Sequence, residues 1–182
     1  MAKLQDHIKP RIQKFIERQK VFFVATAAAE GRINLSPKGM DSFRVLNKKR
    51  VVWLNLTGSG NETAAHLAIN QRITVMFCGF EGAPMILRLY AKGRVIHPKH
   101  EEWDGLIGLF PDLAGKRQII DMEIEAVQTS CGMSIPFYDF KAERRELDDW
   151  ARDKGQEAVK DYWKEKNTES IDGFPTHIEE GF

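Results

Sequence analysis

Apolar residues recur at helical spacing near the start of the chain. Residues 4–19 place them every three or four positions, with charged residues between, which is the pattern of an amphipathic helix. The next run, residues 21–27, is almost entirely apolar and is followed by Glu30-Gly31, where glycine can adopt the positive φ of a tight turn. We therefore predict a helix that covers one face of a β-structure, then a strand over 21–27 and a second strand over 32–36.

Strand-like runs continue as far as position 129. Residues 43–46 and 50–56 flank the polar turn Asn47-Lys48-Lys49 and predict a hairpin, and further strands are expected over 73–78, 85–97 and 118–129. Helical composition appears at 62–70 and 101–110. The runs up to residue 97 make five or six antiparallel strands with flanking helices, and 118–129 is the last strand. Closing the strands into a β-barrel would remove their exposed edges.

The C-terminal third differs in character from the rest. Residues 141–166 are highly charged, with apolar positions spaced for a helix. A chain of 182 residues is the size of one ordinary domain. We therefore predict a single domain over residues 1–182, with a helical C-terminal extension over about 141–182.

Charge and composition restrict the possible partners. The 27 basic and 26 acidic residues give a net charge of +1, so no bulk positive field is available to bind nucleic acid. No apolar run approaches the roughly 20 residues that a membrane-spanning helix needs. The two cysteines and the polar start of the chain favour a reducing cytoplasm over secretion.

Three segments could hold a phosphate group. In Leu35-Ser36-Pro37-Lys38-Gly39, the lysine can act as a mobile point charge and the glycine permits close approach to the backbone; a surface turn would have the same composition. Residues 57–63 are small and polar and precede a helix, which suits an anion, although an ordinary side-chain cap is the alternative. In the strand 87–94, Arg88, Tyr90 and Lys92 alternate with apolar residues and share one face, which could equally be a solvated face.

Catalytic and metal chemistry have weaker support. Cys131 lies among small polar residues but has no cysteine–histidine–amide constellation to activate it. His97 and His100 are three residues apart, yet neither cysteines nor carboxylates complete a metal site. No catalytic residue is assigned, and no metal is expected.

The order and spacing of these segments resemble those of the pyridoxamine 5′-phosphate oxidase-related family of FMN-binding split-barrel proteins. The resemblance covers most of the chain and is carried by the following stretches: Asn34–Gly39, Arg50–Asn55, Gly60–Thr63, Asn70–Phe77 and Gln128–Gly132 with Pro136. It implies an antiparallel split β-barrel, FMN as cofactor, and a homodimer with the flavin at the subunit interface.

The resemblance also implies which residues contact the flavin. Ser36, Pro37 and Lys38 would lie along the ribityl phosphate and pyrimidine side, with Lys38 as a phosphate contact. The strand holding Val52, Trp53 and Leu54 would bring its backbone to the isoalloxazine ring. The phosphate-binding loop would enter its helix at Asn61, Glu62 and Thr63, and Arg88 would be a further flavin contact that could grip phosphate through two hydrogen bonds.

This chain departs from the oxidase itself at three places. Ile33 or Asn34 stands where the oxidase has an arginine, and Asn61-Glu62-Thr63 replaces its Ser-Arg-Lys, so cationic contacts are absent at two places and Glu62 adds an opposing charge. The oxidase's C-terminal substrate-binding segment has no counterpart in residues 172–182. Vitamin B6 oxidation is therefore not carried over.

The leading expectation is an FMN-dependent oxidoreductase acting with a small-molecule substrate or electron donor, whose pocket Trp53, Cys131 and Tyr138 could shape. A flavin-binding carrier or sensor without turnover is the second reading. A related barrel that uses a deazaflavin or haem is the third.

Overall fold

A computed structural model describes residues 3–182, in which eight β-strands form one antiparallel sheet flanked by five α-helices and a short 3-10 helix. The strands are β1 (Lys3–Gln5), β2 (Phe22–Thr26), β3 (Asn34–Lys38), β4 (Phe43–Asn47), β5 (Arg50–Leu56), β6 (Arg72–Cys78), β7 (Met85–Ile96) and β8 (Lys116–Cys131). The helices are α1 (Pro10–Ile16), α2 (Glu62–Ile69), α3 (Glu102–Ile107), α4 (Glu146–Lys154) and α5 (Gln156–Lys166), and the 3-10 helix is Ile178–Gly181.

The sheet curls onto itself. Its strand order is β3-β2-β6-β7-β8-β5-β4, with β1 paired to β8. Although β2 and β4 lie near opposite ends of this order, the rings of Phe22 and Phe43 have centroids 5.1 Å apart, and Phe22 also contacts Trp53 and Phe77. A bulge at Tyr90 and Ala91, where β7 pairs with β8, bends the two long strands that join the halves.

Alternation along the strands defines an inner and an outer face. Val24, Val75, Leu89 and Val127 stand opposite one another on neighbouring strands and are completely buried, so their side chains share the inner face. Helix α1 closes this core with three buried apolar side chains. A second core lies on the other side of β5 and packs against α3.

The predicted fold class is confirmed: the chain is mainly antiparallel β-structure with flanking helices. Several boundaries were wrong, however. The first helix begins at Pro10 rather than Leu4, because proline fits the first position of a helix, and residues 3–5 instead pair with β8.

Two further corrections concern β3 and the C-terminal third. The second strand extends through Pro37 and Lys38 rather than ending at Ser36; β3 is an edge strand, where a missing N–H is tolerated. The single helix predicted over 141–166 is replaced by two helices, and the first of them begins at Glu146. Gly155 separates the two, because its φ of +77° breaks the helix.

Among residues 3–182, no helix has both the length and the apolar character needed to cross a membrane.

We expect Phe22→Ala to lower the free energy of unfolding by about 3–5 kcal/mol, because the ring fills the space where the two halves of the curled sheet meet. Urea denaturation measures this. Phe137→Ala is the matched control, since Phe137 is 79% exposed, and it should change stability by about 0.5 kcal/mol or less. Equal effects of the two substitutions would contradict the curled sheet.

Candidate functional site

Strand β3 divides its predicted site residues between the two faces of the sheet. Ser36 stands opposite the buried Val24 and Lys38 opposite the buried Phe22, so both point to the inner face. Pro37 stands opposite Phe23 and points outward. Lys38 and Ser36 are therefore directed into the end of the barrel.

Lys38 reaches across the curled sheet to β5. Its Nζ lies 5.1 Å from the centroid of the Trp53 ring, within the range of a cation–π interaction. Burial, together with the nearby positive charge of Arg117, lowers the pKa of Lys38 to about 8. Within residues 3–182, Lys38 has no carboxylate partner.

The three predicted β5 residues lie in the interior. Trp53 belongs to the barrel core, whereas Val52 and Leu54 face the second core. The strand pairs with both β4 and β8, so its backbone is engaged on both sides. Contact of this strand with a flavin ring stays a prediction.

The loop before α2 carries no ordinary helix cap. Asn61 occupies the cap position without a capping side-chain hydrogen bond, so the side-chain cap weighed from the sequence does not form. Thr63 Oγ1 instead accepts a hydrogen bond of 3.1 Å from Asn34 Nδ2, which also donates to Thr26. The carboxylate of Glu62 accepts a hydrogen bond from the backbone N–H of Ile171, which directs this negative charge to the C-terminal segment.

Sequence reasoning missed Arg117, the most unusual cation in the molecule. It lies at the start of β8, where a bulge interrupts the pairing with β5, and only 3% of it is exposed. Its Nη1 donates to Gly60 O at 3.0 Å and to Asn167 Oδ1 at 2.7 Å, and its Nη2 donates to Asn55 Oδ1 at 3.3 Å. All these acceptors are neutral.

The charge of Arg117 is therefore not balanced by a carboxylate in the described part of the chain. Burial lowers the pKa of this guanidinium to about 9, which still leaves it charged at neutral pH. Burying a charge without a counter-charge is costly. An arginine just before the apolar run Ile119-Ile120 was the signal available in the sequence, but it gave no indication of burial.

Several hydrogen-bond donors around Arg117 also have no partner. Asn55 donates to Asn61 and Gln118, yet Asn61 Nδ2, Gln118 Nε2 and Arg117 Nε are all buried and unpartnered. Buried polar groups are normally satisfied, and those that are not call for an explanation. Unpartnered donors beside the two cations Lys38 and Arg117 are the chemistry that an anionic ligand would satisfy. We call this region the cationic barrel end; it comprises Lys38, Asn55, Asn61, Arg117 and Gln118.

The C-terminal extension completes the surroundings of this loop. Trp163 Nε1 donates to Thr57 Oγ1 at 2.8 Å, and Asn167 Nδ2 donates to Gly58 O at 3.1 Å. Asp172 forms an ion pair with Arg32 and accepts a hydrogen bond from its backbone N–H. The extension therefore packs directly on the loop over 57–62 and on the turn before β3.

Arg88 lies away from the cationic barrel end. Cross-strand pairing connects Arg88 to Met76, Met76 to Phe23, and Phe23 to the outward-facing Pro37. The side chain of Arg88 therefore lies on the same outer face of the sheet as Pro37. Its Nη1 donates to Ser130 Oγ at 3.3 Å. Three strand spacings of about 4.8 Å separate β7 from β3, so Arg88 and Lys38 of one protomer do not hold the same phosphate.

The curled sheet defines a split-barrel protein, and the cationic barrel end is its candidate site. A family model for pyridoxamine 5′-phosphate oxidase matches residues 8–131. The Aspergillus flavus pyridoxamine 5′-phosphate oxidase family protein ustO is 35% identical over an alignment of 191 positions, which covers 93% of this chain and 76% of that protein. The chain therefore belongs to the pyridoxamine 5′-phosphate oxidase family.

Two solved structures share the fold. A putative pyridoxamine 5′-phosphate oxidase from Lactobacillus delbrueckii superposes with a TM-score of 0.53 at 17% identity, over 68% of this chain and 94% of that one. Group A Streptococcus HupZ gives a TM-score of 0.52 at 17% identity, over 66% of this chain and 92% of that one. At these identities the likeness shows the fold alone.

We expect Lys38→Met to stabilise the ligand-free protein at pH 7 by about 1–3 kcal/mol, since one pKa unit corresponds to about 1.4 kcal/mol and partial exposure reduces the full value. With a pKa of about 8 in the fold and 10.5 in the unfolded chain, the unfolded state holds the proton more tightly. The penalty is therefore complete below pH 8 and disappears as the pH rises to about 10.5.

Urea denaturation of both proteins between pH 7 and 10.5 tests this expectation. Lys48→Met, at an exposed position, is the control and should show no such pH dependence. A stability difference for Lys38→Met that stays constant across this range would show that Lys38 is not a strained cation.

Proposed function

We propose that this protein binds FMN between two copies of the chain and acts as an FMN-dependent oxidoreductase on a small organic substrate. The observation that carries the proposal is the pair of uncompensated cations, Lys38 and Arg117, beside the loop that precedes α2. The phosphate of FMN would supply the missing negative charge. Membership of the pyridoxamine 5′-phosphate oxidase family supports the same cofactor.

The residues of the cationic barrel end have distinct tasks in this proposal. Lys38 would form a charge-assisted hydrogen bond to the phosphate, while the buried Arg117 would act at longer range and hold the loop through Gly60. The unpartnered Nδ2 of Asn61 is a further donor for an oxygen of the ligand. The carboxylate of Glu62 accepts a hydrogen bond from the backbone N–H of Ile171, and Lys38 and Arg117 would partly offset the missing cations of the oxidase.

The positions of Lys38 and Arg88 favour a site shared between protomers. Because the two side chains lie on opposite faces of one sheet, both can reach one flavin only if they come from different copies. This supports the homodimer that the sequence resemblance implies. Val52, Trp53 and Leu54 would then serve as a rigid wall behind the flavin.

Bound flavin would supply the redox chemistry, accepting a hydride equivalent at its reactive ring nitrogen. The protein would supply orientation and exclude water. We also propose a reducing compartment, the cytoplasm, as its location; the low count of two cysteines in 182 residues supports this.

We expect Lys38→Ala and Arg88→Ala each to weaken FMN binding by about 1–3 kcal/mol, the range for losing a charge-assisted hydrogen bond. Titration of flavin-free protein, followed by quenching of flavin fluorescence, measures the affinity. Lys48→Ala is the matched control and should bind FMN as the unaltered chain does. Unchanged FMN affinity in both test variants would remove the site assignment.

A mixed dimer tests whether the two residues come from different copies. When one chain carries Lys38→Ala and the other Arg88→Ala, a shared site predicts one intact and one doubly defective site. Differently tagged chains, co-expressed and purified together, should therefore bind one FMN per dimer with the unaltered affinity. Two equally weakened sites would show that each chain supplies both residues to the same flavin.

Absorption spectra and turnover measurements distinguish the proposed FMN enzyme from a protein with another cofactor and from a non-catalytic flavin carrier or sensor. Absorption bands of a flavin in the purified protein support the proposal, whereas a Soret band or a deazaflavin spectrum would replace the cofactor. Oxidation of reduced nicotinamide cofactor with an added acceptor supports an enzyme. If the protein holds FMN but no donor reduces it under anaerobic conditions, the enzyme proposal fails and a flavin carrier or sensor is the remaining interpretation.

A further inference from the structure

Two carbonyl groups of the loop before α2 accept hydrogen bonds from the C-terminal extension and from β8. Gly58 O accepts a hydrogen bond of 3.1 Å from Asn167 Nδ2, and Gly60 O accepts one of 3.0 Å from Arg117 Nη1. Arg117 Nη1 also donates to Asn167 Oδ1 at 2.7 Å. The amide of Asn167 therefore contacts both the loop and the cation that binds the loop's second carbonyl.

The orientation of these two carbonyls determines where the neighbouring N–H groups point. A trans peptide is planar, with its C=O and N–H on opposite sides, and the described chain contains no cis peptide bond. The N–H groups of Ser59 and Asn61 therefore point away from Asn167 and Arg117. Within the described chain, neither of these N–H groups nor that of Gly60 has an acceptor. The loop thus presents free N–H donors just before the N-terminus of α2, where the helix dipole also favours an anion.

Two buried side chains beside this loop also have donors without partners. Asn61 is 2% exposed and its Nδ2 has no acceptor, and Arg117 is 3% exposed with an unpartnered Nε. Buried donors are normally paired. These side chains therefore point, independently of the backbone, to a ligand that accepts several hydrogen bonds.

Asn167 is held in one position at the end of α5. It is completely buried, its N–H donates to Trp163 O at 2.8 Å, and its carbonyl accepts a hydrogen bond from Thr176 Oγ1. Thr176 is also buried, and its N–H donates to Thr168 O at 2.9 Å, which closes the hairpin 168–176. All four polar groups of Asn167 are therefore engaged, so its side chain is a fixed support for the loop.

We propose that Asn167 is a positioning residue for the phosphate of FMN. It acts through its neighbours: it turns the N–H groups of Ser59 and Asn61 toward the phosphate, and it fixes the guanidinium of Arg117. This inference rests on the proposed function, because it takes the FMN phosphate as the anion that the loop binds. The C-terminal extension is then part of the cofactor site without contacting the flavin through Asn167.

The substitution Asn167→Asp tests this role with almost no change in volume. The carboxylate still accepts a hydrogen bond from Arg117, but it no longer donates to Gly58 O, and its charge neutralises the guanidinium. We expect FMN to bind the variant about tenfold or more weakly, whereas riboflavin, which lacks the phosphate, should bind within about twofold of the unaltered chain. Titration of the flavin-free, full-length protein, followed by quenching of flavin fluorescence, measures both affinities.

Two further variants separate positioning from a loss of stability. Thr176→Val removes the hydroxyl that contacts Asn167, so it should also weaken FMN binding and spare riboflavin, and it keeps the test available if Asn167→Asp does not fold. Val159→Ala is the matched control, because Val159 is a buried apolar residue of α5 whose side chain forms no hydrogen bond. It should lower stability in urea and keep the ratio of FMN to riboflavin affinity. An equal change of this ratio in Val159→Ala and Asn167→Asp would overturn the positioning role.

Inorganic phosphate distinguishes failure of this inference from failure of the proposed function. In the flavin-free protein, we expect nuclear magnetic resonance to show the amide signals of Ser59, Gly60 and Asn61 shifting as phosphate is added. Asn167→Asp should weaken this response about tenfold or more. Such shifts without any FMN binding would remove the proposed function and support the role of Asn167. FMN affinity that stays unchanged in both Asn167→Asp and Thr176→Val would overturn that role and leave the proposed function standing.

Discussion

The charge of Arg117 is the constraint around which one end of the barrel is organised. Its guanidinium is buried and donates only to neutral oxygens, on Gly60, Asn167 and Asn55. Those three acceptors belong to the loop before α2, the C-terminal extension and β5, so one cation joins the parts that surround the candidate site. Because no carboxylate in residues 3–182 balances it, and because Lys38 adds a second cation, an anion bound there would relieve an existing electrostatic cost.

This arrangement also explains how the chain departs from the oxidase it resembles. The cations that the oxidase carries on its phosphate strand and at the start of the helix that follows its phosphate loop are absent from this sequence, and Glu62 stands where the oxidase has a cation. The structure turns the carboxylate of Glu62 toward Ile171 and supplies positive charge from β8. The C-terminal extension therefore contributes to the site's electrostatics through Asn167 and Ile171, although its sequence shows no ligand-binding motif.

Alternation was sufficient to predict most strands, and composition was sufficient to predict α2, because both are local properties of the sequence. The class of fold was predictable for the same reason. Long-range geometry was not: the opposite faces occupied by Lys38 and Arg88 depend on the register of four strands, and the burial of Arg117 depends on an extension that starts about 30 residues later. The start of α1 was missed because pairing of residues 3–5 with β8 overrides a helical apolar pattern.

The central claim is that a flavin phosphate neutralises the strained cations at the barrel end, and the pKa of Lys38 reports on it directly. Nuclear magnetic resonance of the lysine side chains, with Lys38→Arg used to assign the signal, measures this pKa in the flavin-free protein, with FMN, and with riboflavin, which lacks the phosphate. We expect a Lys38 pKa of about 8 without ligand, a marked rise with FMN, and no such rise with riboflavin. A Lys38 pKa that FMN leaves unchanged, or that riboflavin raises equally, would contradict it.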